Sequence, residues 1–245
     1  RWIDSQHAAI PKELEFIPDG SQVISADETG QIVVWDSATG QTIETALYAP
    51  NSGVTAMRVS PNGQYLAIGG RGAIILWDLP AETLITDAMT THTDAVIALR
   101  FDDDSTLLFS ASRDRSLIQW DATTGAFIQR FEGHSDWVLS LDVDTAQNIL
   151  VSGDRTGALR LWELSTGRPI GNALQGPAGW LTNLHFIDAS TVLGSNQDNG
   201  VVLSWTVNSD DWIDLACSIS NRALTRNEQL QFIRSDTYTP RCTTP

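Results

Sequence analysis

The sequence predicts an all-β fold, a β-propeller of five four-stranded blades followed by a short helical C-terminal tail. Three observations predict it. Five of the nine tryptophans fall at Trp35, Trp77, Trp120, Trp162 and Trp205, spaced 42, 43, 42 and 43 residues apart. Each closes a short aliphatic or β-branched run: Ile-Val-Val before Trp35, Ile-Ile-Leu before Trp77, Leu-Ile-Gln before Trp120, Leu-Arg-Leu before Trp162 and Val-Leu-Ser before Trp205. Turn signals such as Pro18-Asp19-Gly20, Pro61-Asn62-Gly63 and Thr124-Gly125 separate these runs from their neighbours. A fixed period of this length marks a repeat architecture. A four-stranded meander cannot bury both faces alone, so the repeats must stack, and radial stacking of such sheets is a propeller.

Within each repeat a second strand precedes the tryptophan strand, over Val23–Ala26, Leu66–Ile68, Leu107–Ala111, Ile149–Ser152 and Thr191–Gly194. An inner strand precedes that, over Leu14–Ile17, Val54–Val59, Val96–Phe101, Trp137–Val143 and Leu181–Ile187. The turns Thr39-Gly40, Thr124-Gly125 and Thr166-Gly167 lead from the tryptophan strand into an outer fourth strand. The propeller is therefore expected over residues 1–207, in repeats of about 7–47, 48–90, 91–132, 133–174 and 175–207, with the tail over 208–245. The fifth repeat has three strands and then turns helical: Ser209 caps a segment with Trp212, Leu215, Ala216 and Ile219 on one face, and Thr225 to Glu228 has capping-box spacing. Residues 1–5 occupy the place of an outer strand. Two closures stay open: this stub completes a five-bladed ring, or the repeats are part of a seven-bladed one. The chain starts at Arg1 and not at Met, from which upstream sequence, including an effector domain of the same polypeptide, is expected.

Composition narrows the function classes. The net charge is −15, from 30 acidic and 15 basic residues, which disfavours nucleic acid and anionic membranes as partners and reads first as solubility. No apolar run reaches the roughly 18 residues of a membrane-spanning helix. Only two cysteines occur, Cys217 and Cys242, too few for a disulfide framework or a four-cysteine zinc site; they either pair or stay reduced according to the compartment, and the protein is expected in the cytoplasm.

The Gly133-His134 pair and the terminal pairs Trp35-Asp36, Trp77-Asp78 and Trp120-Asp121 resemble the two ends of the repeat in the WD-repeat family, over about residues 7–207. That resemblance implies a buried hydrogen-bonded tetrad in each repeat, and the third carries all four members: His92, Asp114, Ser110 and Trp120. The first and fourth have His7, Ser25, Trp35 and His134, Ser152, Trp162, but Thr29 and Thr156 stand where the Asp is expected. The second lacks the His, with Arg71 in place of the Asp, and the fifth has Pro177 and Asn199. Only the third blade is thus expected to hold a complete tetrad. The tail, with Trp212-Ile213, Ala216-Cys217, Asn221-Arg222, Glu228 and Tyr238 to Cys242, is similar to one that closes bacterial WD-repeat proteins, many of them sensor parts of multidomain signalling proteins.

No catalytic motif, phosphate loop or metal set is present, so no cofactor is expected. His185 sits on an inner strand whose equivalents are Glu15, Arg58, Arg100 and Asp142, a mixed-charge ring that reads as ion pairs lining a channel. Asp102-Asp103-Asp104 lacks the spacing of a calcium loop and reads as a solvated turn. Propellers bind on their flat faces, where loops converge. On one face the residues before the Asp position are Glu28, Gly70, Arg113, Arg155 and Asp198, and those three after the His position include Trp137 and Trp180. Arg113, Arg155, Trp137 and Trp180, flanked by Glu28 and Asp198, are the candidate partner-binding residues, since Arg and Trp dominate binding hot spots. The expected function is a non-catalytic protein or peptide interaction scaffold, the sensor or regulatory part of a bacterial signalling protein; the alternative is a hydrolase-type propeller enzyme with its site in the channel.

Overall fold

The computed structural model describes residues 6–207, apart from 44, 46 and 50–52. The expected helical tail, both cysteines and the stub at residues 1–5 lie outside the described residues. Five antiparallel sheets follow one another in chain order. The first contains β1 (Pro11–Phe16), β2 (Gln22–Asp27), β3 (Ile32–Asp36) and β4 (Thr42–Ile43). The second contains β5 (Ala56–Val59), β6 (Tyr65–Gly69), β7 (Ile74–Asp78) and β8 (Thr83–Met89). The third contains β9 (Val96–Phe101), β10 (Leu107–Ser112), β11 (Ser116–Asp121) and β12 (Phe127–Glu132). The fourth contains β13 (Val138–Asp144), β14 (Ile149–Asp154), β15 (Ala158–Glu163) and β16 (Arg168–Gln175). The fifth has three strands, β17 (Leu181–Asp188), β18 (Thr191–Asn196) and β19 (Val201–Thr206).

The turns explain why the strands stop where they do. Gly20, at φ 74°, closes β1 to β2 by donating to Ile17 O at 2.8 Å, a left-handed conformation glycine adopts without strain. In the third blade Ser105 takes that place at φ 60°. The acidic run before it differs from a fully solvated turn. Asp103 and Asp104 are exposed, but Asp102 is buried and accepts from Thr106 N at 2.7 Å, Thr106 Oγ1 at 2.9 Å and Leu107 N at 2.8 Å. A buried carboxylate with three donors is a satisfied one, and here it fastens the turn.

The inner strands pack in series, β1 on β5, β5 on β9, β9 on β13 and β13 on β17. The core is accordingly divided into clusters that each lie between two blades. Ala67, Ile74 and Leu76 of blade 2, for instance, meet Leu99, Phe101, Leu108 and Trp120 of blade 3. Among the described residues, the two terminal faces of the series have no such cover. By register Leu14 and Phe16 of blade 1 correspond to Leu99 and Phe101, since Leu14 pairs with Ser25 and Leu99 with Ser110. Yet Leu14 and Phe16 are each 58% exposed, against 4% and 1% for their counterparts. They line an apolar groove of about 410 Å³ together with Val23 and Trp35. At the other end Val202 is 69% exposed, where its counterparts Leu117 and Leu159 are fully buried.

Candidate functional site

A polar tetrad anchors one rim of each well-formed blade. In blade 3, Ser110 Oγ is the hub: Trp120 Nε1 donates to it at 2.9 Å and His92 Nε2 lies 2.8 Å away. His92 Nδ1 faces Asp114 Oδ2 at 2.8 Å, and Asp114 also accepts from Thr93 N and Ser116 Oγ. Burial pushes the Asp114 carboxyl up, but the hydrogen bonds from His92 and Ser116, with the charge of His92 and the Thr93 N–H, outweigh it and hold the group far below the usual carboxylate range.

The first and fourth blades correct the reading that only the third is complete. His134 Nδ1 meets Asp154 Oδ2 at 2.9 Å, while Ser152 Oγ takes His134 Nε2 and Trp162 Nε1, each at 2.7 Å. In blade 1, His7 Nδ1 lies 3.3 Å from Asp27 Oδ2, and Ser25 Oγ takes His7 Nε2 and Trp35 Nε1, each at 2.7 Å. The acid has moved two residues toward the serine. Side chains two apart on a strand point the same way, so the shift keeps the carboxylate over the imidazole. Thr156 and Thr29, at the expected Asp position, donate their hydroxyls to Asp154 and Asp27 at 2.6 Å. The acid and hydroxyl have exchanged places relative to Ser112 and Asp114 of blade 3.

Blades 2 and 5 depart in register as well as in chemistry. Ile68 pairs with Ile75 and Gly194 with Leu203, so relative to the Ser110–Ile118 pair one hairpin is a residue shorter and the other a residue longer. Blade 2 replaces the tetrad with an edge-on contact of Tyr48 on Trp77 and a bond from Trp77 Nε1 to Tyr48 O at 3.3 Å. In blade 5 the buried Asn196 donates to Pro177 O at 2.9 Å and Ala178 O at 3.3 Å, fastening the loop that a histidine fastens elsewhere.

The tetrads fix the hairpins that carry the candidate residues. Arg113 N donates to Ala95 O and Arg155 N to Trp137 O, both at 3.0 Å, and Gln197 N donates to Trp180 O at 2.9 Å. These bonds hold each hairpin tip over the start of its own inner strand. Arg113, from blade 3, lies over the Trp137 ring at 4.5 Å, and Arg155, from blade 4, lies over it at 4.4 Å. A half-buried tryptophan thus bridges two blades by receiving a guanidinium from each over its ring, a contact worth about 0.5–1 kcal/mol per pair at exposed sites. Arg155 also donates to Asp136 Oδ2 at 3.1 Å, and Asp136 Oδ1 accepts from Trp137 N at 2.7 Å.

Among the other expected partner-binding residues, Trp180 occupies the position of Trp137 on blade 5 and is 37% exposed. Asp198 sits in the adjacent exposed turn, its backbone bonded to Asn196 Oδ1. The longer hairpin makes Gln197, not Asp198, the counterpart of Arg113 and Arg155. Glu28 lies apart on blade 1, paired with Lys12 at 3.6 Å. The shorter hairpin of blade 2 brings Arg71, not Gly70, to that same position, so three consecutive blades present an arginine there. Counting from the tryptophans puts Arg71 at the Asp position; counting from the β6–β7 pairing moves it to the position of Arg113 and Arg155.

The channel side is self-paired. Arg58 reaches back one blade to Glu15 at 2.9 Å, and Arg100 reaches forward to Asp142 at 2.8 Å. Asp142 Oδ2 accepts from Phe186 N at 2.8 Å and lies 3.2 Å from His185 Nδ1. Among the described residues no three His, Cys, Asp or Glu side chains group as metal ligands would. Nor, among them, is any helix long and apolar enough to cross a membrane.

Five sheets in series, with a His–Ser–Trp–Asp tetrad in three of them, define a β-propeller of the WD type. The family described as WD domain, G-beta repeat matches residues 40–78, 83–121 and 125–163, so these three stretches are WD repeats. Among curated proteins none matches the sequence. Among solved structures, the RRP9 WD40 repeats superpose with a TM-score of 0.74 at 26% identity over 85% of this chain and 63% of that one. U3-55K gives 0.73 at 28% identity over 84% and 64%, and the computationally designed Ika8 protein 0.71 at 28% identity over 82% and 59%. The chain therefore spans less than two thirds of each of these structures.

Proposed function

We propose that the chain is a non-catalytic protein–protein interaction scaffold, the sensor or regulatory part of a larger cytoplasmic bacterial signalling protein, and that it holds its partner on the Arg113–Trp137–Arg155 sector beside Trp180. WD repeats generally serve as interaction modules, which supports the class. The bacterial signalling context rests on the resemblance of the C-terminal tail. The observation that carries the site is the stacking of two guanidinium groups on one tryptophan across a blade boundary, on a protein of net charge −15. Rigid, half-exposed Arg and Trp side chains are the groups that anchor interfaces, because they bring large contact area and directed donors at low entropic cost. In the channel, by contrast, Glu15, Arg58, Arg100 and Asp142 are each engaged with one another or with backbone, which favours a structural role over catalysis there.

The test is a random-peptide display selection on the purified chain, repeated on the Arg113→Glu/Arg155→Glu variant. Peptides retained by the parent and lost by an equally stable variant support the site. Peptides retained equally by both would show that partners dock elsewhere.

A further inference from the structure

Resting on that interaction sector, we infer that the group it recognises is a carboxylate of an acidic peptide segment, received by the uncommitted donors of Arg113 and Arg155 beside Trp137.

A guanidinium lying on an aromatic face spends its π surface there, while its five N–H donors lie in its own plane and point away from the ring. Arg155 commits one donor to Asp136 Oδ2. Arg113 is exposed and makes no ion pair among the described residues. One carboxylate, Asp136, thus serves the pair, and it engages Arg155 alone. The other acids on these loops are otherwise engaged: Asp114 and Asp154 turn inward to His92 and His134, and Asp94 Oδ1 accepts from Ala95 N.

The clamp is also pre-organised. Both guanidinium groups rest over Trp137, its backbone carbonyl is tied to Arg155 N, and the two hairpins are locked by the tetrads beneath them. Little rotamer entropy remains to be lost on binding, so donor pairs of this kind suit a planar bidentate acceptor. A carboxylate matches that geometry. Arg115 lies on the same hairpin turn as Arg113, and Arg71 lies on the β6–β7 turn of the neighbouring blade. The net negative charge of the protein is largely screened beyond roughly 8 Å at physiological salt, so the charges farther away oppose an acidic ligand only weakly. Contact with two arginines is decided inside that distance.

The experiment measures fluorescence polarisation of the intact chain with a labelled octapeptide alternating Glu and Gly, its Gln–Gly analogue and a phosphoserine–Gly analogue. The expected result is binding of the Glu peptide about tenfold tighter than the Gln peptide, as charge-assisted hydrogen bonds imply. Arg113→Gln should remove that preference, and Arg113→Lys should restore charge but only part of the affinity, because an ammonium neither stacks nor binds bidentately. Four results overturn the inference. Equal binding of the Glu and Gln peptides, lost in the Arg113→Gln/Arg155→Gln variant, leaves the interaction site standing and removes the carboxylate. Binding of the Glu peptide that survives the double variant, or no binding of any peptide, removes both. A phosphoserine peptide bound tenfold tighter than the Glu peptide replaces carboxylate by phosphate as the recognised group.

Discussion

His134 Nδ1 lies 2.9 Å from Asp154 Oδ2, although Asp154 stands two residues before the position that Asp114 holds in the neighbouring blade. The hydroxyl of Thr156 fills the vacated position and donates to Asp154 at 2.6 Å. Asp154→Ala should therefore destabilise the protein by about 2–4 kcal/mol, the cost of leaving a buried imidazole N–H and several loop donors without an acceptor. The exchange double variant Asp154→Ser/Thr156→Asp, which copies Ser112 and Asp114, should recover most of that loss in urea unfolding. A double variant no more stable than Asp154→Ala would show that the two acid positions are not interchangeable.

Acid and base should act on different blades. Burial drives the His134 pKa down against the pull of Asp154, so its neutral form is favoured in the fold. That stabilisation is present above the ordinary histidine pKa of 6.5 and is lost as pH falls through the lower folded value. Asp114 and Asp154, also depressed, lose theirs only below the ordinary 3.8. Glu13 in β1 has the opposite sign. Burial, with Glu15 beside it and Arg58 opposing, pushes its carboxyl up to about 7, so its contribution is full below 4.5 and lost as pH rises through about 7. Glu13→Gln should raise stability at pH 8 by about 1–2 kcal/mol, discounted for partial solvation, and leave it unchanged at pH 4. Chemical denaturation at the two pH values measures this; an equal shift at both would mean that packing, not ionisation, is responsible.

The propeller was legible because its determinants are local and repeated: a tryptophan every 42 or 43 residues, with turn chemistry between strands. The site was legible only in part, for a physical reason. Counting back from each tryptophan assumes hairpins of constant length, and the hairpins of blades 2 and 5 are a residue shorter and longer than the Ser110–Ile118 pair implies. That count puts Arg71 at the Asp position and leaves Gln197 out of the candidate residues. Asp27 and Asp154 were missed for another reason: both the i and i+2 positions of a strand end can place a carboxylate over the same histidine, and residue spacing does not distinguish them. The sharing of Trp137 by two arginines is a contact between blades, which no pattern within one repeat contains.

Asp142 joins three blades, taking Arg100 from blade 3 and Phe186 N and His185 from blade 5. Asp142→Ala leaves a partly buried guanidinium and a backbone N–H without their acceptor. A loss of about 2–4 kcal/mol is expected, with Asp142→Asn between the two because the amide oxygen still accepts from Phe186 N. If the channel were instead a catalytic site, removing this carboxylate would spare stability, so a wild-type unfolding midpoint for Asp142→Ala would sink the structural reading.

Leu14 and Phe16 repeat the chemistry of Leu99 and Phe101 but not their burial, and this separates the effect of residue type from that of neighbours. Phe101→Ala removes a ring packed between two blades and should cost about 3–5 kcal/mol, most of it from the cavity left in a close-packed interface. Phe16→Ala removes a ring 58% exposed to solvent and should cost under about 1 kcal/mol in this chain. Phe16→Glu should be tolerated equally well. Urea unfolding of the three variants gives the comparison directly. A loss at Phe16 as large as that at Phe101 would mean that the first blade's face is covered in solution, and sedimentation of the same variants would then tell whether a second copy of the chain covers it.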